Sequence, residues 1–296
     1  MLRSRLAGVG SISLGTGIAF SAILGPVVLR VIKFRTSDHL ENQFVGGEIV
    51  SLAVVAPAAI AAGVLWLRVH RLAPPLAFGP ALYAVYTYKT AVIGQEYNRY
   101  DGNVEKFFPL YAGLVAGGAA IAVFAWSRLH EAQVPVPSDG LRRTLAAIFL
   151  GMGGFFALAW AQQIRLVVTG NAPAEYQEGP TLFWLIKLLD FGFIIPLLIA
   201  TGSGLVRQHP AAIKAAYGLA TFATCLAGSI AGMVVTMQTT GDPSAQPAML
   251  VVLLPATAGL ALVTERLLRS YLAGTNERVP LHAGHRPGRH IEAEPT

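Results

Sequence analysis

The sequence predicts an all-α membrane protein: eight transmembrane helices arranged as two parallel four-helix repeats. Three observations carry this. Of the 296 residues, 54% are apolar and 13% charged, the latter about half the ~25% of a soluble domain. A crossing needs ~20 mostly apolar residues, so the apolar content amounts to about eight crossings. Sustained alternation of apolar and polar residues is missing, which argues against a β-barrel. The chain also matches itself, without a gap, at an offset of 139.

Eight apolar stretches run at about 7–29, 48–67, 74–95, 108–127, 144–168, 181–206, 211–236 and 247–268. The first follows Arg3 and Arg5. It is too long for a signal-peptide core and lacks a clear small-x-small cleavage site, so it reads as a retained span. The second opens at Glu48 and contains Pro57. The third begins at Pro74-Pro75, which fits a helix start, and carries Tyr83, Tyr86, Tyr88 and Lys89. The fourth follows Pro109 and contains Gly113-x-x-x-Gly117, a spacing that permits close helix packing. Trp160, Gln162, Gln163 and Arg165 close the fifth. The sixth follows Pro180 and holds Lys187, Asp190 and Pro196. The seventh follows Pro210 and contains Gly228-x-x-x-Gly232; Pro243 and Pro247 precede the eighth. From Ala273 onward the chain is polar and dotted with Gly and Pro, the composition of a disordered tail over 273–296.

The offset match is most specific around the second and sixth stretches. Pro57, Ile60, Ala61, Gly63, Arg68 and His70 fall on Pro196, Ile199, Ala200, Gly202, Arg207 and His209. Arg3, Leu6, Ala7 and Gly15 fall on Arg142, Leu145, Ala146 and Gly154. Repeats at 1–130 and 140–269 follow. Four spans per repeat is an even number, so both halves enter the membrane in the same direction, related by a pseudo-two-fold axis along the membrane normal. The first span then corresponds to the fifth, which is internal and cannot be cleaved.

The net charge of +6 is spread over short loops and reads as topology rather than nucleic-acid binding. With the N-terminus inside, fourteen Arg and Lys fall on inside segments and six on outside ones. Both termini are therefore expected in the cytoplasm, in a bacterial inner membrane. Cys225 is alone, which excludes a disulfide scaffold. No zincin, nucleophile-elbow or phosphate-loop motif is present, and no pair of histidines lies within spans to hold a haem. Neither catalysis nor a metal or cofactor is expected. His282, His285 and His290 in the tail read as solvated.

The informative residues are ionisable groups inside spans, where a charge costs at least ~2.5–3.5 kcal/mol unless it faces protein or water. Asp190 is nine residues into the sixth stretch, with Lys187 one turn away on the same face. Lys89 is deep in the third, and Glu48 caps the second. Gln162 and Gln163 add polarity beside them. At the offset of 139, Glu48 corresponds to Lys187, Ser51 to Asp190 and Lys89 to Gly228. The frame is duplicated and the charges are not, as a site near the axis or drift after duplication would produce. Asp190 is expected to be shielded from lipid, paired with Lys187, Lys89 or a fifth-span Gln. The tyrosines and Trp160 read as an interfacial belt, and Pro57 and Pro196 as static kinks.

The run Gly46-Gly47-Glu48 with Pro57, then Leu82-Tyr83 through Tyr86-Thr87-Tyr88 and Gly94, resembles a group of uncharacterised bacterial polytopic membrane proteins. Lys187-Leu188-Leu189-Asp190-Phe191-Gly192-Phe193 with Pro196 is similar to their later spans. The resemblance covers most of the membrane region but not the tail. It implies a membrane location and a shared Asp/Glu pattern, and no substrate. The leading functional expectation is a small-solute or ion permease, or a ligand-binding membrane protein, with an outward-facing polar site and the lipid bilayer as its other partner. The alternative is a non-transporting scaffold or sensor subunit, and an intramembrane enzyme ranks third.

Overall fold

The computed structural model describes residues 2–131, 133–243, 245 and 247–274. The tail beyond 274, with its three histidines, lies outside them. The chain is 82% helical, with no strand among the described residues. Helix α1 (Leu2–Ala22) runs into a π turn at Ile23–Val27. Helices α2 (Asp38–Val50) and α3 (Ala56–Leu67) form one span, broken by a π turn at Ser51–Val55. After α4 (Ala73–Ile93), a 3-10 turn at Val104–Phe107 leads into α5 (Phe108–Arg128). Then come α6 (Asp139–Val168) and the one-turn α7 (Ala174–Glu178). Helices α8 (Pro180–Leu189) and α9 (Ile195–Val206) form a second broken span, joined by a π turn at Asp190–Ile194. Last are α10 (Pro210–Thr239) and α11 (Pro247–Gly274).

Local chemistry sets these boundaries. The Ser37 and Ser138 hydroxyls accept from the Leu40 and Leu141 amides and so cap α2 and α6. Proline occupies the first turn of α3, α4, α5, α8, α9 and α10, where its missing N–H costs nothing.

Seven helical stretches are long and apolar enough to cross a membrane: Leu2–Val27, Asp38–Leu67, Val104–Arg128, Asp139–Val168, Pro180–Val206, Pro210–Thr239 and Pro247–Ala273. They indicate a polytopic membrane protein. The remaining stretch of the eight expected is α4. Its 21 residues give ~30 Å at the helical rise, but three prolines, three tyrosines and Lys89 make it less apolar. Packing explains that composition. Twelve residues of α4 are buried, among them Pro74, Pro80, Tyr83, Tyr88 and Thr90, and a helix shielded by its neighbours need not be greasy all round.

The two π turns and their prolines share one cause. The Ala56 amide bonds the Ser51 carbonyl, five residues back. Its α-helical acceptor, the Leu52 carbonyl, thereby loses a donor, and Pro57 has no N–H to offer Ala53. The Ile195 amide likewise bonds the Asp190 carbonyl, so Phe191 and, through Pro196, Gly192 lose theirs. The wider turn also relieves the clash of each proline ring with the carbonyl four residues before it. Ser51–Val55 and Asp190–Ile194 are 139 residues apart, as are α3 and α9. The same spacing separates two left-handed residues, Val69 (φ 52°) and Gln208 (φ 56°). It also separates His70 and His209, whose Nδ1 atoms accept from the Leu72 and Ala211 amides at 3.2 and 3.3 Å.

Helix α1 packs on α3 as α6 does on α9, and α4 packs on α5 as α10 does on α11. The segments 2–128 and 139–274 meet where α2 and α4 cross α10. At one crossing Gly46 and Gly232 face each other: a Cβ on Gly46 would lie 2.4 Å from the Gly232 carbonyl oxygen. At the other, a Cβ on Gly79 would strike Thr221 and one on Gly218 would strike Phe78. Gly113 and Gly117, expected to serve close packing, have nothing within 4 Å of a Cβ. They line an open groove of about 760 Å³ between α1 and α5 instead.

The loops at the end opposite the described termini are tied together. Arg35 grips both Glu105 oxygens at 2.7 and 3.1 Å and the Tyr100 carbonyl at 3.1 Å, and the Glu105 bonds hold its guanidinium above the ordinary arginine pKa. Further bonds cross between the two segments. The Ser37 hydroxyl donates to Glu178 at 2.5 Å, Arg99 to the Gln177 carbonyl at 2.5 Å, and the Thr181 amide to Glu96 at 2.7 Å. Asp242 takes His39 at 3.0 Å and Asn42 at 3.1 Å.

Candidate functional site

Two buried polar centres lie at the two helix breaks, on either side of α4. At the second break, Asp190 is 6% exposed. The Tyr86 hydroxyl donates to its Oδ1 at 2.8 Å and the Trp160 indole N–H to its Oδ2 at 2.7 Å. One donor comes from α4 and the other from α6, so the carboxylate joins the two segments of the bundle. Both bonds are charge-assisted, the stronger kind.

Lys187, also 6% exposed, makes no ion pair with Asp190. Its ammonium sits 3.8 Å from the Trp160 ring centroid and 4.1 Å from that of Phe183, a cation–π sandwich strengthened by desolvation. Lys89 is half-buried, its ammonium 5.9 Å from the Tyr86 centroid. Both ammoniums face the Asp190 carboxylate at longer range. Two cations thus attend one carboxylate whose oxygens are already bonded.

At the first break, Ser51 and Tyr83 share a hydrogen bond of 2.9 Å, and Tyr83 donates to Ser229 of α10 at 3.1 Å. Glu48, 4% exposed, acts electrostatically on Tyr83, Tyr88 and Tyr111. The Tyr88 and Tyr111 rings lie 5.9 Å apart.

The sequence-derived set is thus divided. Asp190, Lys187 and Lys89 come together at one centre, and Glu48 belongs to the other. Gln162 is exposed and joins neither, while Gln163 keeps its Oε1 buried with no bonding partner. The expectation that a lysine or a fifth-span Gln binds Asp190 is corrected, because Tyr86 and Trp160 hold it. Those two were read as an interfacial belt; the i, i+3 spacing of Tyr86 and Lys89 was the available signal that they share a face. Tyr111, Ser21 and Ser229 carried no such signal, since their helices meet Glu48 only through the tertiary fold. Neither the α1–α5 groove nor a pocket of about 190 Å³ near Trp66 and His70 is lined by these residues, nor does any group of three His, Cys, Asp or Glu that could hold a metal occur among the described residues. Comparison of the chain with protein families, with curated proteins and with solved structures finds no match.

Proposed function

We propose that the chain is a small-solute permease built from two parallel four-span repeats, 1–130 and 140–269, with α4 as the eighth span and the solute site at the second helix break. The observation that carries this reading is the pair of π-turn and proline breaks, 139 residues apart, each lined by intramembrane polar groups. Interrupted spans at corresponding positions of two repeats mark the substrate site in many transporters. The matched spacing of Val69 with Gln208 supports the duplication. The distribution of Arg and Lys supports termini in the cytoplasm, which places the bonded loop end outside. A periplasm-active reporter fused at the C-terminus is then silent, and activity there overturns the orientation.

The charge balance supports an anionic solute. Asp190 is satisfied by Tyr86 and Trp160, whereas Lys187 and Lys89 have no carboxylate bonded to them. A small organic anion bearing an apolar group would meet both ammoniums and the aromatic rings around them. The test is a thermal-stability screen of the detergent-purified protein against small carboxylates, phosphates and sulfonates, with organic cations alongside. Saturable stabilisation by an anion, lost in Lys187→Met, is expected. Stabilisation by cations alone, or by no solute, overturns the reading. The saturated Asp190 carboxylate favours a second reading, in which these bonds serve only to hold a non-transporting scaffold together, and the no-solute outcome supports it.

A further inference from the structure

The centre around Glu48 has a composition unlike that around Asp190. It draws on five helices: Ser21 from α1, Glu48 from α2, Tyr83 and Tyr88 from α4, Tyr111 from α5 and Ser229 from α10, with Ser51 at the π turn. Every one of them is buried, none more than 4% exposed. Four of their oxygens have no hydrogen-bond partner in the protein: Glu48 Oε2, the Tyr88 and Tyr111 hydroxyls, and Ser21 Oγ. Hydroxyls rotate freely and ordinarily find partners, because a buried polar group left unmade costs ~1–3 kcal/mol. Four in one cluster is a set of oxygens arranged around something other than one another.

Charge decides what that is. Glu48 has no salt bridge, and the side chain identified as bonding to it is Tyr88, not a base. Lys89, next to Tyr88 in sequence, turns instead towards Tyr86 and Asp190. An isolated buried carboxylate is costly, so it takes a proton or a cation. The orphaned tyrosine and serine oxygens favour the cation, because a proton would occupy only the carboxyl group and leave them unmet. The ligands are hard oxygens, which select alkali or alkaline-earth ions over thiophilic metals. With one carboxylate and no second acid or histidine grouped with it, a single positive charge is balanced and a divalent ion is not.

We propose that Glu48, with the hydroxyls of Ser21, Tyr88 and Tyr111, binds one alkali-metal cation, with sodium as the probe. The site is formed by the first half of the chain against α10. It stands independently of the solute reading, since none of its residues touches Lys187 or Asp190.

The test measures unfolding temperature of the full-length protein in detergent, titrated with sodium chloride against choline chloride at constant ionic strength and at two pH values. A rise that saturates with sodium at both pH values is expected, as for any ligand that binds only the folded state. Glu48→Gln keeps the shape and removes the charge, and the sodium midpoint should move up at least about tenfold. Should Glu48→Gln fail to fold, Tyr111→Phe keeps the ring against Tyr88 and removes one oxygen, and it should weaken the sodium response in the same direction. Equal curves in sodium and choline overturn the proposal. So does stability that follows pH alone, which would make Glu48 a proton-carrying carboxyl. An unchanged sodium response in both variants overturns it as well. Anion binding at Lys187 is measured on the same samples, so failure here is separable from failure of the permease reading.

Discussion

Ser51 and Asp190 open the two π turns, 139 residues apart, and each bonds a tyrosine of the same helix. Ser51 meets Tyr83 at 2.9 Å and Asp190 meets Tyr86 at 2.8 Å. Helix α4 therefore reads both breaks at once, through side chains three residues apart. One break holds a neutral hydroxyl pair and the other a charge, so a symmetric frame carries an asymmetric chemistry.

The Asp190 bonds make a prediction about variants that differ only in polarity. In Asp190→Asn, the amide oxygen can accept from Trp160 while its NH2 donates to the Tyr86 hydroxyl, so both neighbours stay bonded. The loss of stability should be small, within about 1.5 kcal/mol, because only charge assistance is removed. Asp190→Leu strands both donors at about 1–3 kcal/mol each. Chemical or thermal unfolding in detergent compares the two. Equal stabilities would show that Tyr86 and Trp160 do not depend on this carboxylate.

Much of the fold was legible in the sequence, because hydropathy and proline punctuation are local signals. Pro57 and Pro196 marked the two breaks, although the π turns beside them were not foreseen. The candidate site was legible in its charges and not in its bonds. Asp190, Lys187 and Glu48 stand out wherever the chain is apolar, but the donors to Asp190 come from helices that are neighbours only in the folded bundle. The glycines show the same limit. Gly113-x-x-x-Gly117 and Gly228-x-x-x-Gly232 are indistinguishable as motifs, yet only Gly232 meets another backbone.

That contrast is measurable. Gly46→Ala places a methyl against the Gly232 carbonyl and the Met233 Cα, backbone that can yield only if α2 and α10 separate. A loss of about 1–3 kcal/mol or more is expected. Gly113→Ala and Gly117→Ala meet open space and should be neutral or slightly stabilising, given alanine's better helix propensity. Similar losses at all three positions would contradict the crossing.

The loop bonds between the two segments should act as a clasp that opens in turnover. Ser37 and Glu178 are in direct contact, so Ser37→Cys with Glu178→Cys should be bridged in high yield by a short bifunctional thiol reagent. Bridging is expected to stop solute uptake, and a reducible reagent should restore it on cleavage. Efficient bridging with full uptake would show that these loops stay closed while solute passes.

The central claim is that the second helix break is a solute site, and uptake into proteoliposomes by Lys187→Met tests it most directly. Methionine preserves the packing between Trp160 and Phe183 while removing the charge. With the anion that best stabilises the wild-type protein as substrate, the account requires uptake to fall at least about tenfold in a variant that stays folded. Uptake equal to wild type would contradict it.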